Sequence, residues 1–203
     1  MEIILKQAQN EGWNIGAVIT DNAGQCGRAR RILALRWPNV TFLFCFAHCI
    51  NNIVKAVLKS SFSGIAKEAT AAVKCLNASS AKWLVRARAM MEECYDKPLA
   101  LFTLCETRWN SMQSCFASLL RVRTALEMLS IKYRGYKDYP SSLKVFNDSS
   151  FWRKLTEAEQ VIAPLSESSY RLQRDENTLA DVVLSFRDIF NHAGNNVNSH
   201  CSC

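Results

Sequence analysis

One carboxylate stands directly after a short apolar run, in the stretch VITDNAGQC. Asp21 ends this run and is followed at once by Asn22, a residue type that is common in turns. Open parallel sheets place their functional groups, metal ligands included, at the carboxyl ends of such strands. Asp and Asn are also frequent helix caps and turn residues. The local sequence therefore leaves two interpretations of Asp21 open: a metal-binding catalytic carboxylate, or a turn residue that caps the next helix.

A thiol and an imidazole lie three positions apart in the stretch CFAHC, as Cys45 and His48. This is half the spacing of a zinc site, but a tetrahedral site needs four ligands, and no matching second pair follows along the chain. We therefore expect no structural zinc. We predict instead that His48 lies at a strand-to-helix junction beside Asp21.

Arg108 and Trp109 lie side by side at the start of a predicted helix, in the stretch ETRWNS. A tryptophan that stacks on a base and an arginine that binds phosphate would form a DNA contact. A tryptophan on an apolar stripe is also often a core residue, and both interpretations stay open. Further basic residues cluster as Arg28, Arg30 and Arg31; as Lys82, Arg86 and Arg88; and as Arg121 and Arg123. The last two sets have helical spacings that fit solvated faces as well as phosphate contacts, and none of the three sets is diagnostic.

The composition describes a folded, basic protein. Its 203 residues carry 25 Lys and Arg against 18 Asp and Glu, and the net charge of +7 favours polyanionic partners in a non-specific way. No apolar run approaches the roughly 20 residues of a membrane helix, so we expect no membrane partner. The nine cysteines are an odd number and lie in helical or strand segments, which predicts reduced thiols and a nuclear or cytoplasmic location.

The elements that position these residues fall into two groups. Residues 1–11 and 27–37 have helical patterns, while residues 14–20 and 40–47 read as apolar strands typical of burial on both faces. This alternation predicts an α/β unit with parallel strands. From residue 48 onward the periodicity is helical only, up to a terminal segment rich in Asn and Ser that has no periodicity.

Four segments, in this order, resemble the central region of hAT-superfamily transposases, and particularly the DUF659-type domain of transposase-derived proteins, over about residues 10–190. The segments are VITDNAGQCGRARRIL, FLFCFAHCINNIVKAVL, TRWNSMQSCFASLLRVRTALEML and FWRKLTEAEQVIAPLSESSYRLQRDENTLADVV. The resemblance implies a mostly helical α/β fold. Residues 1–62 would form a partial RNase H-like α/β core and residues 63–190 a large all-helical insertion. The composition of residues 191–203 predicts a disordered tail.

The resemblance also implies roles for the residues singled out above. Asp21 matches the second carboxylate of an Asp, Asp, Glu triad that holds two Mg²⁺ or Mn²⁺ ions in the intact family enzyme. Cys45 and His48 match a Cys-x-x-His element beside that site. Arg108 and Trp109 match an Arg-Trp pair of the insertion, whose tryptophan is thought to stack against a flipped base.

We expect the site of this chain to be incomplete. The family's first aspartate would precede Met1 and its final glutamate would follow the last residue, and a single carboxylate at Asp21 cannot hold two metal ions. We therefore predict a fragment of a hAT-type transposase-derived protein that needs no cofactor as this chain, is catalytically inactive, and binds DNA weakly and non-specifically.

Two other functions remain open at this point. The chain could be a domesticated protein-interaction module in which Asp21 is only a turn residue, or a truncated gene model of an active DNA transposase. Missing neighbours of the two strands would leave Val18, Phe42 and Phe44 exposed, which predicts self-association through the sheet edge.

Overall fold

A computed structural model describes residues 1–78, 82–102, 111–174 and 176–200, with side chains described up to residue 192. The chain is mostly helical and contains a small sheet near its beginning. The elements, in chain order, are α1 Glu2–Asn10, β1 Ala17–Thr20, α2 Gly24–Arg36, β2 Thr41–Phe44, α3 Phe46–Ser60, α4 Ser63–Leu76, α5 Lys82–Tyr95, α6 Ser111–Arg121, α7 Arg123–Tyr133, a 3₁₀-helix Ser141–Asn147, α8 Ser149–Arg171 and α9 Leu179–His200.

The two strands pair in parallel, which confirms the predicted α/β unit. Val18 of β1 lies opposite Phe42 of β2, and α2 connects the two strands. Both strands are shorter than predicted, because β1 begins only at Ala17 and β2 ends at Phe44, directly before α3. The chain therefore has a mostly helical α/β fold, while its likeness to an RNase H core stays a prediction.

Both strands leave large side chains in contact with solvent. Ile19 is 52% exposed and Phe44 is 50% exposed, whereas Val18 and Phe42 are half-buried. The apolar sequence of the strands predicted burial on both faces, and this prediction is wrong for the part of the chain that the structure describes. A two-stranded sheet has few neighbours, and these strands are covered only in part.

The main hydrophobic core belongs to the helices. It runs from Ile50 of α3 to Leu165 of α8, and its largest side chains are fully buried. Trp152 is 1% exposed, lies 5.8 Å from the Phe146 ring between centroids, and donates its indole N–H to the Phe146 carbonyl at 3.0 Å. Such a core stabilises the helical part independently of the sheet.

Two helix bounds could not be read from the sequence pattern. Residues 111–133 are divided at Val122 between α6 and α7, although no Pro or Gly marks the break. The last helix continues to His200, whereas the sequence predicted an unstructured tail from residue 191. Asn, Ser and Gly have only modest or low helix propensity, and the tail prediction rested on that composition.

The described helices include no membrane-spanning candidate, since none combines the length and the apolar character that a bilayer requires.

Candidate functional site

The carboxyl ends of β1 and β2 form the site that the sequence predicts. Thr20 ends β1, and its carbonyl accepts a hydrogen bond of 2.8 Å from the backbone N–H of Cys45, the residue that follows β2. Asp21 and Cys45 therefore leave the sheet side by side. His48 lies in the first turn of α3, close enough for its charge to act on the Asp21 carboxylate. The structure thus brings Asp21, Cys45 and His48 to one edge of the sheet.

The Asp21 carboxylate is exposed and is engaged by the start of α2. Its Oδ1 accepts a hydrogen bond of 3.2 Å from the backbone N–H of Ala23, directly before α2 begins at Gly24. A hydrogen bond from the Cys26 thiol is the main reason why the pKa of Asp21 is lowered, followed by the Ala23 N–H and by the charges of His48 and Arg30. The same thiol contact raises the pKa of Cys26. This geometry is that of a turn carboxylate at a helix start.

Arg30 lies behind this edge and connects both strands. The residue is only 6% exposed, and its guanidinium donates to Asn22 Oδ1 at 3.2 Å, to the backbone carbonyls of Thr20 and Asp21, and to the Thr20 hydroxyl. The guanidinium carbon also lies 4.2 Å from the centroid of the Phe44 ring. One buried cation therefore holds the end of β1 against β2.

Arg30 differs from the other two members of the first basic cluster, to which the sequence assigned no particular face. Helix α2 packs on β2 with Arg30 inside, and Arg30 is buried while Arg28 and Arg31 are exposed. Helical spacing could have indicated that Arg30 is on the inward face of α2, because Arg30 lies three residues before the buried Leu33 and four after the half-buried Cys26.

The donor set at this edge does not fit a two-metal site. Nowhere in the described ranges do three or more His, Cys, Asp or Glu side chains come together to hold a metal ion. The Asp21 carboxylate is the only one at the edge, it already accepts from Ala23 and Cys26, and the cation of Arg30 lies behind it. Two divalent metals need several carboxylates, so neither Mg²⁺ nor Mn²⁺ fits these residues alone.

The predicted DNA-contact residues Arg108 and Trp109 lie outside the described residues. The basic pair that follows is engaged within the chain. Arg121 donates to the Ala100 carbonyl at 2.8 Å, and Arg123 forms a 2.8 Å ion pair with Glu127. Each of these exposed arginines therefore has one intramolecular partner in addition to its contact with solvent.

The remaining basic cluster, on α5, lies among aromatic side chains that the sequence interpretation did not connect with it. Lys82 pairs with Asp138, and the Arg86 guanidinium lies over the rings of Trp83, Tyr133 and Tyr136. The turn KYRGYKDYP, residues 132–140, alternates basic and aromatic residues and is the sequence signal that could have found this surface.

Comparison of the chain with protein-family models, with curated proteins and with solved structures gives no match. The likeness to hAT transposases therefore rests on the four sequence segments and stays a prediction.

Proposed function

We propose that the chain is part of a hAT-type transposase-derived protein, with an RNase H-like core whose Asp/Asp/Glu site is incomplete, so that it is catalytically inactive and retains weak DNA binding. The observation that carries the proposal is the placement of Asp21 and His48 at the same carboxyl edge of a parallel strand pair. The family resemblance assigns these two residues to one active site, and their nearness supports that assignment.

The chemistry at the edge supports the inactive form of the proposal. A phosphoryl-transfer site of this kind stabilises charge with two metal ions held by carboxylates. Asp21 offers one carboxylate, and the Arg30 guanidinium donates to the backbone carbonyl of the same residue. In this chain Asp21 orders the turn into α2, which leaves it a structural part of an ancestral site.

The proposed DNA binding rests on charge rather than on base reading. The net charge of +7 is spread over several helices, and phosphate contacts of this type release counterions and weaken steeply with salt. Fluorescence anisotropy with a labelled duplex, over a series of salt concentrations, tests this. Weak binding that disappears as salt rises and does not depend on sequence is expected, while tight binding that persists in high salt would overturn it.

The same binding experiment can test the predicted DNA contact of Arg108 and Trp109 with a variant. If the pair contacts DNA as the resemblance implies, Trp109→Ala removes base stacking of about 1–3 kcal/mol and lowers affinity for a duplex end. Trp37→Ala, a change at a half-buried tryptophan before Pro38, is the matched control. An unchanged affinity in Trp109→Ala would remove the pair from the proposed function.

The protein-interaction module remains a second candidate because of one surface. Helix α9 exposes an apolar stripe in the part of the chain whose side chains are described: Leu179 at 63%, Val183 at 69%, Phe186 at 47% and Phe190 at 76%. Contiguous exposed apolar residues often mark a protein contact. In this alternative Asp21 is a turn residue only, and Phe190→Ser would abolish partner binding while Asp21→Asn would not.

The proposed transposase-derived function includes self-association of the chain through strand β1. Within the described strands β1 has a neighbour on one side only, and an open edge with exposed Ile19 favours pairing with another chain. A lysine on an edge strand opposes such pairing, so Ile19→Lys should shift a dimer to monomer in light scattering. A wild-type chain that stays monomeric at high concentration would contradict this part of the proposal.

A further inference from the structure

A cluster of basic and aromatic side chains lies where the beginning of α5 meets the end of α7 and the turn after it. We call this surface the α5–α7 corner. Its residues are Lys82, Trp83 and Arg86 of α5, Lys132 and Tyr133 of α7, and Arg134, Tyr136, Lys137, Asp138 and Tyr139 of the following turn.

We propose that the α5–α7 corner binds single-stranded nucleic acid. The inference gives the weak nucleic-acid binding proposed above a location and a strand preference, and it rests on that part of the proposed function. It does not involve Asp21, Arg108 or Trp109.

The charge of the corner suits a polyanion. It holds five cations and a single carboxylate, Asp138, which the Lys82 ammonium already neutralises. The hydrogen bond from Lys82 is also the main cause of the lowered pKa of Asp138, so this carboxylate stays ionised and paired. Arg134 and Lys137 are exposed and form no ion pair with any residue that the structure describes. These two cations are therefore available to phosphates.

The aromatic rings of the corner are held in fixed positions around one guanidinium. The Arg86 guanidinium carbon lies 4.6 Å from the Trp83 ring centroid, 4.5 Å from that of Tyr133 and 5.4 Å from that of Tyr136. Its Nη1 is buried and has no hydrogen-bond partner among the described residues. The rings supply the contact that this cation otherwise lacks. The cation in turn orders the rings before any ligand arrives, which lowers the entropy cost of binding.

Tyr136 carries the outer face of this arrangement. Its ring lies edge-on to Tyr133, with the two ring centroids 5.4 Å apart. Tyr136 is 52% exposed to solvent, whereas Trp83 and Tyr139 are only 8% and 6% exposed. About half of Tyr136 is thus open to solvent, in the same turn as the exposed cations Arg134 and Lys137. An exposed ring between phosphate-binding cations is the arrangement on which an unpaired base stacks.

A duplex does not use this arrangement, because its bases are stacked inside and offer no free face to a ring. The cations of the corner would still attract duplex phosphates in a salt-dependent way. The ring of Tyr136 is therefore expected to distinguish single strands from duplexes, and the cations are not.

Fluorescence anisotropy of the full chain with a labelled oligothymidine of about 12 nucleotides, and with a duplex of the same length, tests the inference. The wild type should bind the single strand more tightly than the duplex. Tyr136→Ala should weaken single-strand binding about tenfold and leave duplex binding nearly unchanged. Tyr170→Ala removes a ring of similar exposure, 51%, from α8 and should change neither affinity. Circular dichroism verifies that each variant is folded.

The results distinguish single-strand binding at the α5–α7 corner from the duplex binding proposed above. Duplex binding together with a single-strand affinity that Tyr136→Ala leaves unchanged overturns the α5–α7 corner and keeps the proposed DNA binding. Single-strand binding that depends on Tyr136, without any duplex binding, keeps the corner and overturns duplex binding. Absence of both overturns both. Tighter binding to vesicles of anionic phospholipid than to either oligonucleotide, with the same dependence on Tyr136, also overturns the inference, because the corner would then be a membrane contact.

Discussion

The guanidinium of Arg30 lies against the ring of Phe44, with 4.2 Å between its central carbon and the ring centroid. Arg30 belongs to α2 and Phe44 is the last residue of β2, while the hydrogen bonds of the same guanidinium reach the end of β1. This one side chain thus couples all three elements behind Asp21.

We predict that Arg30→Ala loosens the sheet edge specifically. The change removes several hydrogen bonds from a buried charged donor, worth together about 2 kcal/mol, and takes one donor away from the carbonyls of Thr20 and Asp21. Hydrogen exchange should accelerate about 30-fold in peptides that cover residues 17–45, since 1.4 kcal/mol corresponds to about a factor of ten. Arg28→Ala, an exposed arginine of the same helix, is the control. Equal exchange in the two variants would contradict the role of Arg30.

The pKa of Cys26 gives a direct test of the Asp21 turn. The Asp21 carboxylate accepts the hydrogen bond of the thiol and disfavours the thiolate, which raises the pKa of Cys26. Asp21→Asn removes that charge, so the pKa of Cys26 should fall and the thiolate fraction at pH 8 should rise. Alkylation by iodoacetamide, measured on the Cys26 peptide by mass spectrometry, should become faster. Asp181→Asn, which alters a capping carboxylate at Thr178, should leave the Cys26 rate unchanged; no acceleration in Asp21→Asn would argue against the contact.

Unlike Cys26, Cys115 should resist alkylation in the native chain. Burial in the helical core raises the pKa of this thiol to about 12. The native chain should therefore leave Cys115 unmodified at pH 8, and modification should appear only when urea unfolds the helices. Rapid native labelling of Cys115 would show that the helical core is more open than its packing indicates.

Limited proteolysis should reveal uneven stability along the chain. The main core begins at Ile50 and involves α3 to α8, whereas the two strands are short and partly exposed. A resistant fragment of about residues 50–190 should persist after the first ~45 residues are lost. Uniform resistance of the whole chain, with the elution volume of a monomer, would show that the two strands are sufficient for a stable sheet.

The sequence predicted the parts of the fold that depend on local patterns. The alternation of helices and strands in residues 1–47 predicted the parallel pair, and the helical periodicity from residue 48 onward predicted the helical part of the fold. These features follow from periodicity alone. The break at Val122 has no such mark, because it depends on how α6 and α7 pack in the core.

The candidate site was predicted only in part, for a related reason. That Asp21 and His48 meet follows from the parallel pairing of the strands that precede them. The burial of Arg30 could not be read from its charge, since an arginine inside the fold needs partners from distant residues. The ring cluster around Arg86 likewise joins residues nearly fifty positions apart, and it needs the packing of α5 on α7.

The function proposed above holds that this chain does not cut or join DNA, because Asp21 is a lone carboxylate at its sheet edge among the residues that the structure describes. Labelled duplex DNA incubated with the purified chain and Mg²⁺ or Mn²⁺ tests it most directly, with Asp21→Asn as the matched variant. We predict only background cleavage and strand transfer, equal in the wild type and the variant. Metal-dependent cleavage by the wild type that disappears in Asp21→Asn would contradict the account.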